Sequence, residues 1–389
     1  MTEGYKQTEI GMIPEDWEVK SLKDIAPLQR GFDLPYSQMK EGKYPVVFSN
    51  GIGAYHERYM VNGPGVITGR SGTIGNVHFV PQNYWPHNTS LWVTDFRGND
   101  EKYVYYLFQT IPWELYNSGS GVPTLNRNDV HDTLHAVPPP TEQRRIAEAL
   151  SDVDELITSL EKLIAKKKAI KQGAMQELLT GKRRLPGFSG EWKTSSLITL
   201  CDSITDGSHE SPLETDCGYY MPSVKDMTDC GFNYSACKQI SKLDYEKLVR
   251  NGCQPVVGDV LIAKDGSILK HAFVYEQSVP TVILSSITII RPNKAIIDSQ
   301  YLAQYFRQKS FVENVILNYK SGTGVPRIVL NNFKIIEIFH PISVKEQIAI
   351  SETLGYIDVD IEMQEKKVEK ARQIKQGMMQ QLLTGKIRI

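Results

Sequence analysis

The sequence predicts an α+β protein in which two mixed α/β domains are separated by two long helices, which pair as an antiparallel coiled coil with pseudo-two-fold symmetry. The first observation is a repeat: Ile170–Lys182 reads IKQGAMQELLTGK and Ile374–Lys386 reads IKQGMMQQLLTGK, with eleven of thirteen positions identical at an offset of 204. The second is that each segment ends a stretch with helical periodicity. A period of this length indicates a duplicated domain rather than a solenoid.

The duplication extends beyond the two helices. The offset is smaller near the start of each copy, so the second copy carries about 29 extra residues before its helix (204 minus 175). The matched segments are Trp17 with Trp192, Gly-Ser-Gly-Val-Pro at 119–123 with Gly-Thr-Gly-Val-Pro at 322–326, and Glu142-Gln143 with Glu346-Gln347.

Each helix carries an apolar stripe with alternating steps of three and four residues. Such spacing is typical of a coiled-coil seam rather than a broad globular face. A helix of about 40 residues would be roughly 60 Å long. The stripe comprises Ile146, Leu150, Val153, Ile157, Leu160, Ile164, Ile170, Ala174 and Leu178 in the first copy, and Ile350, Leu354, Ile357, Ile361, Val368, Ala371, Ile374, Met378 and Leu382 in the second.

Local signals mark the ends of the helices. Thr141 and Ser343 follow prolines and are placed to cap the first turns. Each helix ends at Thr-Gly-Lys, where the glycine suits a left-handed cap. Gly173 and Gly377 lie inside the helices at a cost of about 1 kcal/mol against alanine. Their recurrence indicates a close approach, either to the partner helix or to another protein, with a tolerated accident as the alternative.

Charge predicts the direction of helix pairing. Residues 141–161 sum to −4 and 162–184 to +7, while 343–365 sum to −5 and 366–389 to +6. Antiparallel pairing places each acidic half beside a basic half. Complementarity to the helix dipole explains part of this asymmetry, although not its depth into the helix.

The blocks before the helices read as short strands punctuated by Gly, Pro and Asn. In the first block, strands are predicted at 46–48, 65–68, 76–80 and 90–93, with a helix at 101–109. The second block repeats this order at 256–263, 272–275, 282–290 and 300–308. Residues 69–75 and 263–269 therefore form matching loops, each with a basic residue and a glycine turn.

Two interpretations of these loops remain open. They are simple hairpin connections, or they approach phosphates and base edges of a nucleic acid. On the second interpretation, the candidate contacts are Asn50, Arg58, Arg70, Ser71, Thr73 and Asn88 in the first block, and His209, Lys225, Lys264, Ser267 and Lys270 in the second.

Composition excludes several classes of protein. The net charge of −1 leaves a basic face possible, because acidic residues elsewhere can balance it. No apolar run reaches the roughly 20 residues needed to span a bilayer, so we expect no membrane partner and a cytoplasmic location. The five cysteines lack a Cys-x-x-Cys pair; reduced thiols are the better interpretation than a zinc site with His209. No phosphate-binding loop or catalytic constellation is found, so we predict no catalytic and no metal site.

Several motifs together resemble the specificity (S) subunit of Type I restriction–modification systems, and the resemblance covers both copies. The start of the second helix, Pro341-Ile-Ser-Val-Lys-Glu-Gln347, matches the Pro-Pro-x-Glu-Gln motif only in part. The motifs that carry it are Trp17–Leu22, Gly69–Gly75, Gly121–Leu125, the Pro-Pro-x-Glu-Gln segment ending at Gln143, and Leu178–Lys182.

The resemblance implies a division of the chain into four segments. Residues 1–138 and 185–340 would be target-recognition domains, each reading one half of a bipartite site in double-stranded DNA. Residues 139–184 and 341–389 would be the helical spacers. Two methyltransferase (M) subunits would bind the helices, and we assign Gly173, Gly377, Leu178 and Leu382 to these contacts. No cofactor is expected in this chain; S-adenosylmethionine, ATP and Mg would belong to the methyltransferase and, where present, restriction (R) subunits.

Two other functions remain as alternatives to a non-catalytic specificity subunit. A stand-alone bipartite DNA-binding regulator would bind DNA tightly without partners. A nuclease with a site in the second block would cleave DNA with a metal ion, but the missing catalytic constellation argues against it.

Overall fold

The structure is a computed structural model that describes residues 4–322 and 324–389. Its residues separate into two compact units. Unit 1 comprises the chain up to Glu161 together with Lys366–Ile389, and unit 2 is the continuous segment Lys162–Glu365. Each unit therefore contains one half of each long helix.

The first long helix spans Pro140–Leu178. It begins two residues earlier than a cap at Thr141 predicted, so Thr141 lies in the first turn and is not the cap. Proline suits this position because its fixed φ matches the helix and the first N–H groups have no partner within the helix. The carbonyl of Pro139 instead accepts the N–H groups of Glu142 (2.9 Å) and Gln143 (3.0 Å).

The second long helix spans Val344–Leu382, directly after Ser343 as predicted. The Ser343 carbonyl accepts the N–H groups of Glu346 (3.0 Å) and Gln347 (3.2 Å). Both long helices are followed by a left-handed glycine, Gly181 with φ +68° and Gly385 with φ +69°. The predicted glycine stop is thus confirmed in both copies.

Within each unit the two half-helices run antiparallel. In unit 1, Arg372 pairs with Glu161 at 2.6 Å and Lys375 with Asp154 at 2.7 Å, so higher numbers on one helix face lower numbers on the other. Unit 2 repeats this with Lys168–Glu365 (2.7 Å) and Lys171–Asp358 (2.5 Å). The pairing predicted from charge is confirmed.

The predicted apolar seam is buried or partly buried at all of its positions except one in each copy, eight residues before the end of each helix. Ile146, Leu150, Ile350 and Leu354 are buried. By contrast, Ile170 is 53% exposed and Ile374 is 48% exposed. The half-helices pack against their own domain as well as against each other, so Met175 of the first long helix and Leu179, which directly follows it, lie in the core of unit 2. A strict coiled-coil repeat does not describe that geometry.

Both units are built on a four-stranded antiparallel sheet of the same topology. In unit 1 the strands are β1 (Leu28–Arg30), β2 (Gly65–Gly69), β3 (Val77–Val80) and β4 (Ser90–Val93), in the order β1-β4-β2-β3. In unit 2 they are β5 (Cys201–Asp206), β6 (Val260–Ala263), β7 (Ala272–Val274) and β8 (Ile287–Pro292), in the order β5-β8-β6-β7. The matching order shows that the duplication includes the sheets.

The other elements of unit 1 surround its sheet. The strands are Tyr5–Thr8, Gly11–Pro14, Glu18–Ser21, Tyr44–Phe48, Gly51–His56, Trp85–Pro86 and Leu134–Val137. The helices are Leu22–Ile25, Tyr36–Gln38, Glu101–Gln109, Trp113–Tyr116 and Arg127–His131, of which the second and fourth are 3-10.

Unit 2 has a comparable set. The strands are Trp192–Ser196, Tyr219–Tyr220, Gln239–Ile240, Lys320–Ser321, Arg327–Ile328 and Glu337–Pro341. The helices are Leu197–Leu200, the 3-10 helix Val224–Asp226, Lys242–Arg250, Ser299–Tyr305, Lys309–Tyr319 and Leu330–Ile335. Within the described chain, no helix is long and apolar enough to cross a membrane.

The predicted strands of the first block lie within one residue of the observed sheet strands or, for 46–48, inside Tyr44–Phe48, and the helix at 101–109 is confirmed. Two predicted strands of the second block are too long. Gly258, with φ +99°, turns the chain, so β6 starts only at Val260. Val282 and Ile283 are fully buried in a connecting segment before β8, which periodicity alone does not distinguish from a buried strand.

Candidate nucleic-acid interface

Each sheet ends in a basic loop, residues 70–76 between β2 and β3 and residues 264–271 between β6 and β7. The Thr89 carbonyl accepts the N–H groups of Arg70 (2.8 Å) and Ser71 (3.0 Å). In unit 2 the Ser286 carbonyl accepts those of Lys264 (2.9 Å) and Asp265 (3.3 Å). The backbone of both loops is therefore anchored in the same way.

A second loop packs onto each basic loop. These Gly-Val-Pro loops are residues 119–125 and residues 322–328, of which Thr323 is outside the described chain. In unit 1, Leu125 N–H donates to the Arg70 carbonyl (2.8 Å) and Gly72 N–H to the Pro123 carbonyl (2.9 Å). In unit 2, the matching bonds join Ile328 to Lys264 (3.0 Å) and Gly266 to Pro326 (2.8 Å). The duplicated motif therefore orders the basic loops, a role that the sequence did not assign to it.

Two glycines permit the sheet edge to approach the segment before the last sheet strand. A Cβ on Gly31 would lie 2.2 Å from the His87 carbonyl oxygen, and one on Gly207 would lie 2.1 Å from the Ile283 carbonyl oxygen. No side chain fits at those distances, so both copies need glycine here. The offset of 176 between them was available in the sequence as a signal.

The side chains at the loop of unit 1 are mostly basic or amide. The Arg70 guanidinium is partly buried and reaches the Asn88 carbonyl at 3.5 Å. Arg30 pairs with Asp33 at 3.0 Å, and the Asn88 amide also donates to Asp33. The hydrogen bond from Asn88 and the charge of Arg30 lower the pKa of the exposed Asp33 carboxyl. Arg30, Arg70 and Asn88 thus place hydrogen-bond donors beside the basic loop.

The corresponding side chains of unit 2 form an ion-pair cluster. The Lys264 ammonium lies 3.2 Å from Asp206 and 3.5 Å from Asp265, and its side chain is only 8% exposed. His209 approaches the same Asp206 oxygen at 3.4 Å from the exposed side. Lys264 is thus enclosed by its own carboxylates, and direct contact of its ammonium with DNA stays a prediction.

The structure brings together most of the other predicted contacts. Asn50, Ser71, Thr73, Ser267 and Lys270 lie on or next to the basic loops, and apart from Ser71 they are exposed. Arg58 instead pairs with Glu57 at 3.7 Å, and Lys225 lies in the 3-10 helix Val224–Asp226; neither takes part in the loop contacts above. Arg30 and Asp206 are the site residues that sequence analysis missed.

A clamp at the start of the first long helix closes unit 1. Arg388 donates two hydrogen bonds to the Glu142 carboxylate (3.0 and 2.7 Å) and one to Asp16 (2.7 Å). The indole N–H of buried Trp17 donates to Glu142 at 3.1 Å. These carboxylates raise the pKa of the Arg388 guanidinium. Arg388, two residues past the Thr-Gly-Lys that ends the second long helix, thus holds the start of the first long helix.

Unit 2 has the same clamp with exchanged segments. Arg184, two residues past the first Thr-Gly-Lys, donates two hydrogen bonds to Glu346 at 2.5 and 2.7 Å. Its guanidinium also lies 5.5 Å from the ring centre of Trp192. Only 1% of the Glu346 side chain is exposed, so this is a buried, bidentate ion pair.

The glutamine of each Glu-Gln pair joins its helix to the domain. The Gln143 oxygen accepts the Asp100 N–H (2.9 Å), and its amide donates to the Pro138 carbonyl (2.9 Å). The Gln347 oxygen accepts the Asp298 N–H (2.7 Å), and its amide donates to the carbonyls of Ile296 (3.0 Å) and Pro341 (2.9 Å). Each glutamine therefore satisfies backbone groups at the start of a domain helix.

The residues predicted to contact a partner subunit divide into two kinds. Leu178 (4% exposed) and Leu382 (5% exposed) lie in the hydrophobic cores of unit 2 and unit 1, so these side chains are not presented to a partner. A Cβ added to Gly173 or Gly377 would have open space around it, with no neighbouring atom within 4 Å. A close approach to the partner helix is therefore not the reason for these glycines, and contact with another protein stays a prediction.

The described residues contain no cluster of His, Cys, Asp and Glu that could hold a metal ion. All five cysteines are unpaired thiols, and burial raises the pKa of Cys237 to about 11. A reactive thiolate is not expected at a site with such a pKa.

The fold and the site define a duplicated protein. Each unit joins a basic loop and a Gly-Val-Pro loop to a domain that is fastened to the two long helices. The chain belongs to the family described as Type I restriction modification DNA specificity domain, whose model matches residues 14–172 and 190–371. The sequence resemblance to specificity subunits is thereby confirmed.

Known relatives agree with this assignment. The Type I restriction enzyme MjaVIII specificity subunit of Methanocaldococcus jannaschii is 24% identical over the whole chain and 96% of the relative. The putative MjaX specificity subunit of the same organism is 26% identical over the whole chain and 97% of the relative. The crystal structure of a Type I restriction–modification S subunit from M. genitalium shares the fold, with a TM-score of 0.63, 16% identity, and coverage of 98% of this chain and 99% of that one.

Proposed function

We propose that the chain is a non-catalytic subunit that reads an asymmetric, bipartite site in double-stranded DNA and holds two modification subunits of one kind. Methyl transfer would occur in the modification subunits, which would carry S-adenosylmethionine. Restriction subunits, where present, would supply ATP- and Mg-dependent cleavage. No contact among residues 4–322 and 324–389 favours the regulator or the nuclease alternative.

The observation that carries the proposal is the duplicated loop pair. Both units anchor a basic loop and a Gly-Val-Pro loop through the same backbone hydrogen bonds. The side chains on this common frame differ, because Arg30 and Arg70 in unit 1 correspond to Asp206 and Lys264 in unit 2. Two equal frames with unequal side chains support two half-sites of different sequence.

Methylome sequencing tests this part of the proposal. Cells expressing the chain with its modification subunits should acquire methylation at one bipartite site. Exchange of residues 18–138 for the block of another family member should change one half-site and leave the other intact. A change in both half-sites would show that the units do not read DNA independently.

Arg70→Ala tests the loop of unit 1. If Arg70 contacts a phosphate, the variant should bind all sequences more weakly and lower the slope of log affinity against log salt by about 1. If Arg70 reads a base, one position of one half-site should lose about 1–3 kcal/mol of discrimination. Thr94→Ala, a substitution just past the far end of β4, serves as the control and should change neither quantity. Unchanged affinity and specificity for Arg70→Ala would leave the loop as a simple hairpin connection.

The duplicated helices support two docking surfaces for one kind of partner. Gly173 and Gly377 occur at matching positions with open space beside them. The mass of the assembled complex should therefore correspond to one copy of this chain and two modification subunits. A stable complex with a single modification subunit and no second binding event would contradict the proposal.

A further inference from the structure

Arg30 and Asp206 occupy the same position in the two sheets and carry opposite charges. Arg30 is the last residue of β1 and pairs with Leu91 of β4. Asp206 is the last residue of β5 and pairs with Thr288 of β8. Because the two sheets have the same strand order, each residue stands beside the basic loop of its own unit.

This reversal changes the charge around each basic loop. In unit 2, Asp206, Lys264 and Asp265 sum to −1, and both carboxylates lie within 3.5 Å of the ammonium. In unit 1, Arg30, Asp33 and Arg70 sum to +1, and across the described residues Arg70 has no carboxylate partner. The charged groups around Arg70 are mainly donors, whereas those around Lys264 are mainly acceptors, and the exposed Lys270 lies further along the second loop.

The acceptors of unit 2 are open to a ligand on one side. Asp206 and His209 line a cleft of about 420 Å³. The Asp206 side chain is 17% exposed, so its carboxylate is accessible although Lys264 covers part of it. Lys264 and His209 both approach the same oxygen of Asp206, Oδ2, which leaves its Oδ1 as the acceptor for a ligand. The unpartnered oxygen of Asp265 is buried and therefore not open to a ligand.

A carboxylate beside DNA is repelled by the phosphates unless a donor group compensates. In the major groove the base edges offer two such donors, the exocyclic amino groups of adenine and cytosine. Guanine and thymine present acceptors at the corresponding positions and would be rejected.

Resting on the proposed function, we infer that Asp206 reads an amino-bearing base, adenine or cytosine, by accepting a hydrogen bond from its exocyclic amino group. Lys264 is a positioning residue in this arrangement. Its ammonium holds the Asp206 carboxylate in place and neutralises one of the two negative charges, and it does not contact phosphate.

The experiment measures the methylated site and the affinity for a library of DNA sites, using the chain in complex with its modification subunits. Asp206→Ala and the double variant Asp206→Ala with Lys264→Met are compared with wild type. The double variant removes one charge of each sign and so keeps the net charge of the cluster at −1, whereas Asp206→Ala alone raises it to zero. Discrimination should fall about 10–100-fold at one base pair, where wild type requires adenine or cytosine on one strand. Arg30→Ala, the matched control, should affect the other half-site only.

Lys264→Met separates the two roles of the lysine. As a positioning residue, it should relax the same base pair as Asp206→Ala. A uniform loss of affinity with a salt slope lower by about 1 would instead mean that Lys264 contacts phosphate, and this would overturn the inference. Unchanged base preference in both Asp206 variants, or loss of both half-sites together, would also overturn it. If wild type itself shows no bipartite site, the proposed function fails, whatever the variants do.

Discussion

The helix clamps and the sheet ends of the two units have diverged to very different degrees. At the clamps the units use the same residue types, Glu142 with Arg388 in unit 1 and Glu346 with Arg184 in unit 2. At the sheet ends only the backbone hydrogen bonds are shared, and the charged side chains are replaced. A buried ion pair cannot lose one partner without leaving an uncompensated charge, whereas a side chain at a partly open loop end can change once its backbone is anchored.

The largest effect is expected for Arg184→Ala, which breaks the clamp of unit 2. It leaves the Glu346 carboxylate, 1% exposed, without its cation. We expect the free energy of unfolding of unit 2 to fall by about 3–5 kcal/mol. Arg388→Ala should cost less, because the Arg388 side chain is 43% exposed and water partly replaces it. Urea denaturation followed by fluorescence measures both, and equal losses would show that burial does not distinguish the clamps.

A second difference between the units is titratable. In unit 1, His135 lies opposite Lys20 on the neighbouring strand. At the matching strand position of unit 2, Ile338 lies opposite Ser195. Burial lowers the pKa of His135 to about 4. The unfolded chain therefore binds more protons below pH 6.5, and stability is lost as the pH falls from about 6.5 to 4, by up to roughly 3 kcal/mol.

The variant His135→Ile, which copies unit 2, should remove this dependence. The difference between its free energy of unfolding and that of wild type should increase as the pH falls from 7.5 to 4.5. A difference that does not change with pH would mean that His135 keeps an ordinary pKa in the folded protein.

Gln143 and Gln347 occupy matching positions and accept matching backbone hydrogen bonds. Their variants test whether these two junctions contribute equally to stability. Gln143→Ala and Gln347→Ala each leave buried backbone groups without partners. Each should lower the free energy of unfolding by roughly 1–3 kcal/mol. Protection of the Asp100 and Asp298 amides from hydrogen exchange should fall locally in the respective variant. Clearly unequal losses would contradict the equivalence of the two junctions.

The smallest effect concerns the helix glycines. Gly173→Ala and Gly377→Ala add a methyl group into open space and should raise the free energy of unfolding by up to about 1 kcal/mol each. If a modification subunit packs against these positions, the same variants should bind it more weakly by calorimetry. Stabilisation without any loss of assembly would remove the glycines from the docking surfaces.

The long helices and the sheet strands could be predicted because they depend on repeated, short-range sequence patterns. The repeat at 170–182 and 374–386, the charge halves and the strand punctuation predicted the fold class and most strands. The seam positions Ile170 and Ile374 were wrong because burial there is decided by packing against the domains, which periodicity does not encode.

The site was predicted only in outline for a related reason. Arg70 and Lys264 were found because they lie in loops that align in sequence. Asp206 encloses Lys264 from a strand 58 residues earlier in the chain, and this contact exists only after the sheet has formed. The distinction between an arginine without a carboxylate partner among the described residues and a lysine held by two carboxylates is therefore a property of the tertiary structure.

The exchange of segments in the clamps has a consequence for synthesis on the ribosome. Unit 2 is one continuous segment, so all of its contacts can form once Glu365 has emerged. Unit 1 waits for the chain that follows, because Leu382 and Leu383 complete its core and Arg388 closes its clamp. The domain that is translated first is thus the one that is finished last, and until then the Glu142 carboxylate and the surrounding apolar surface await their partners. During that interval unit 1 is incomplete, so its folding does not follow the usual order in which the N-terminal domain folds first.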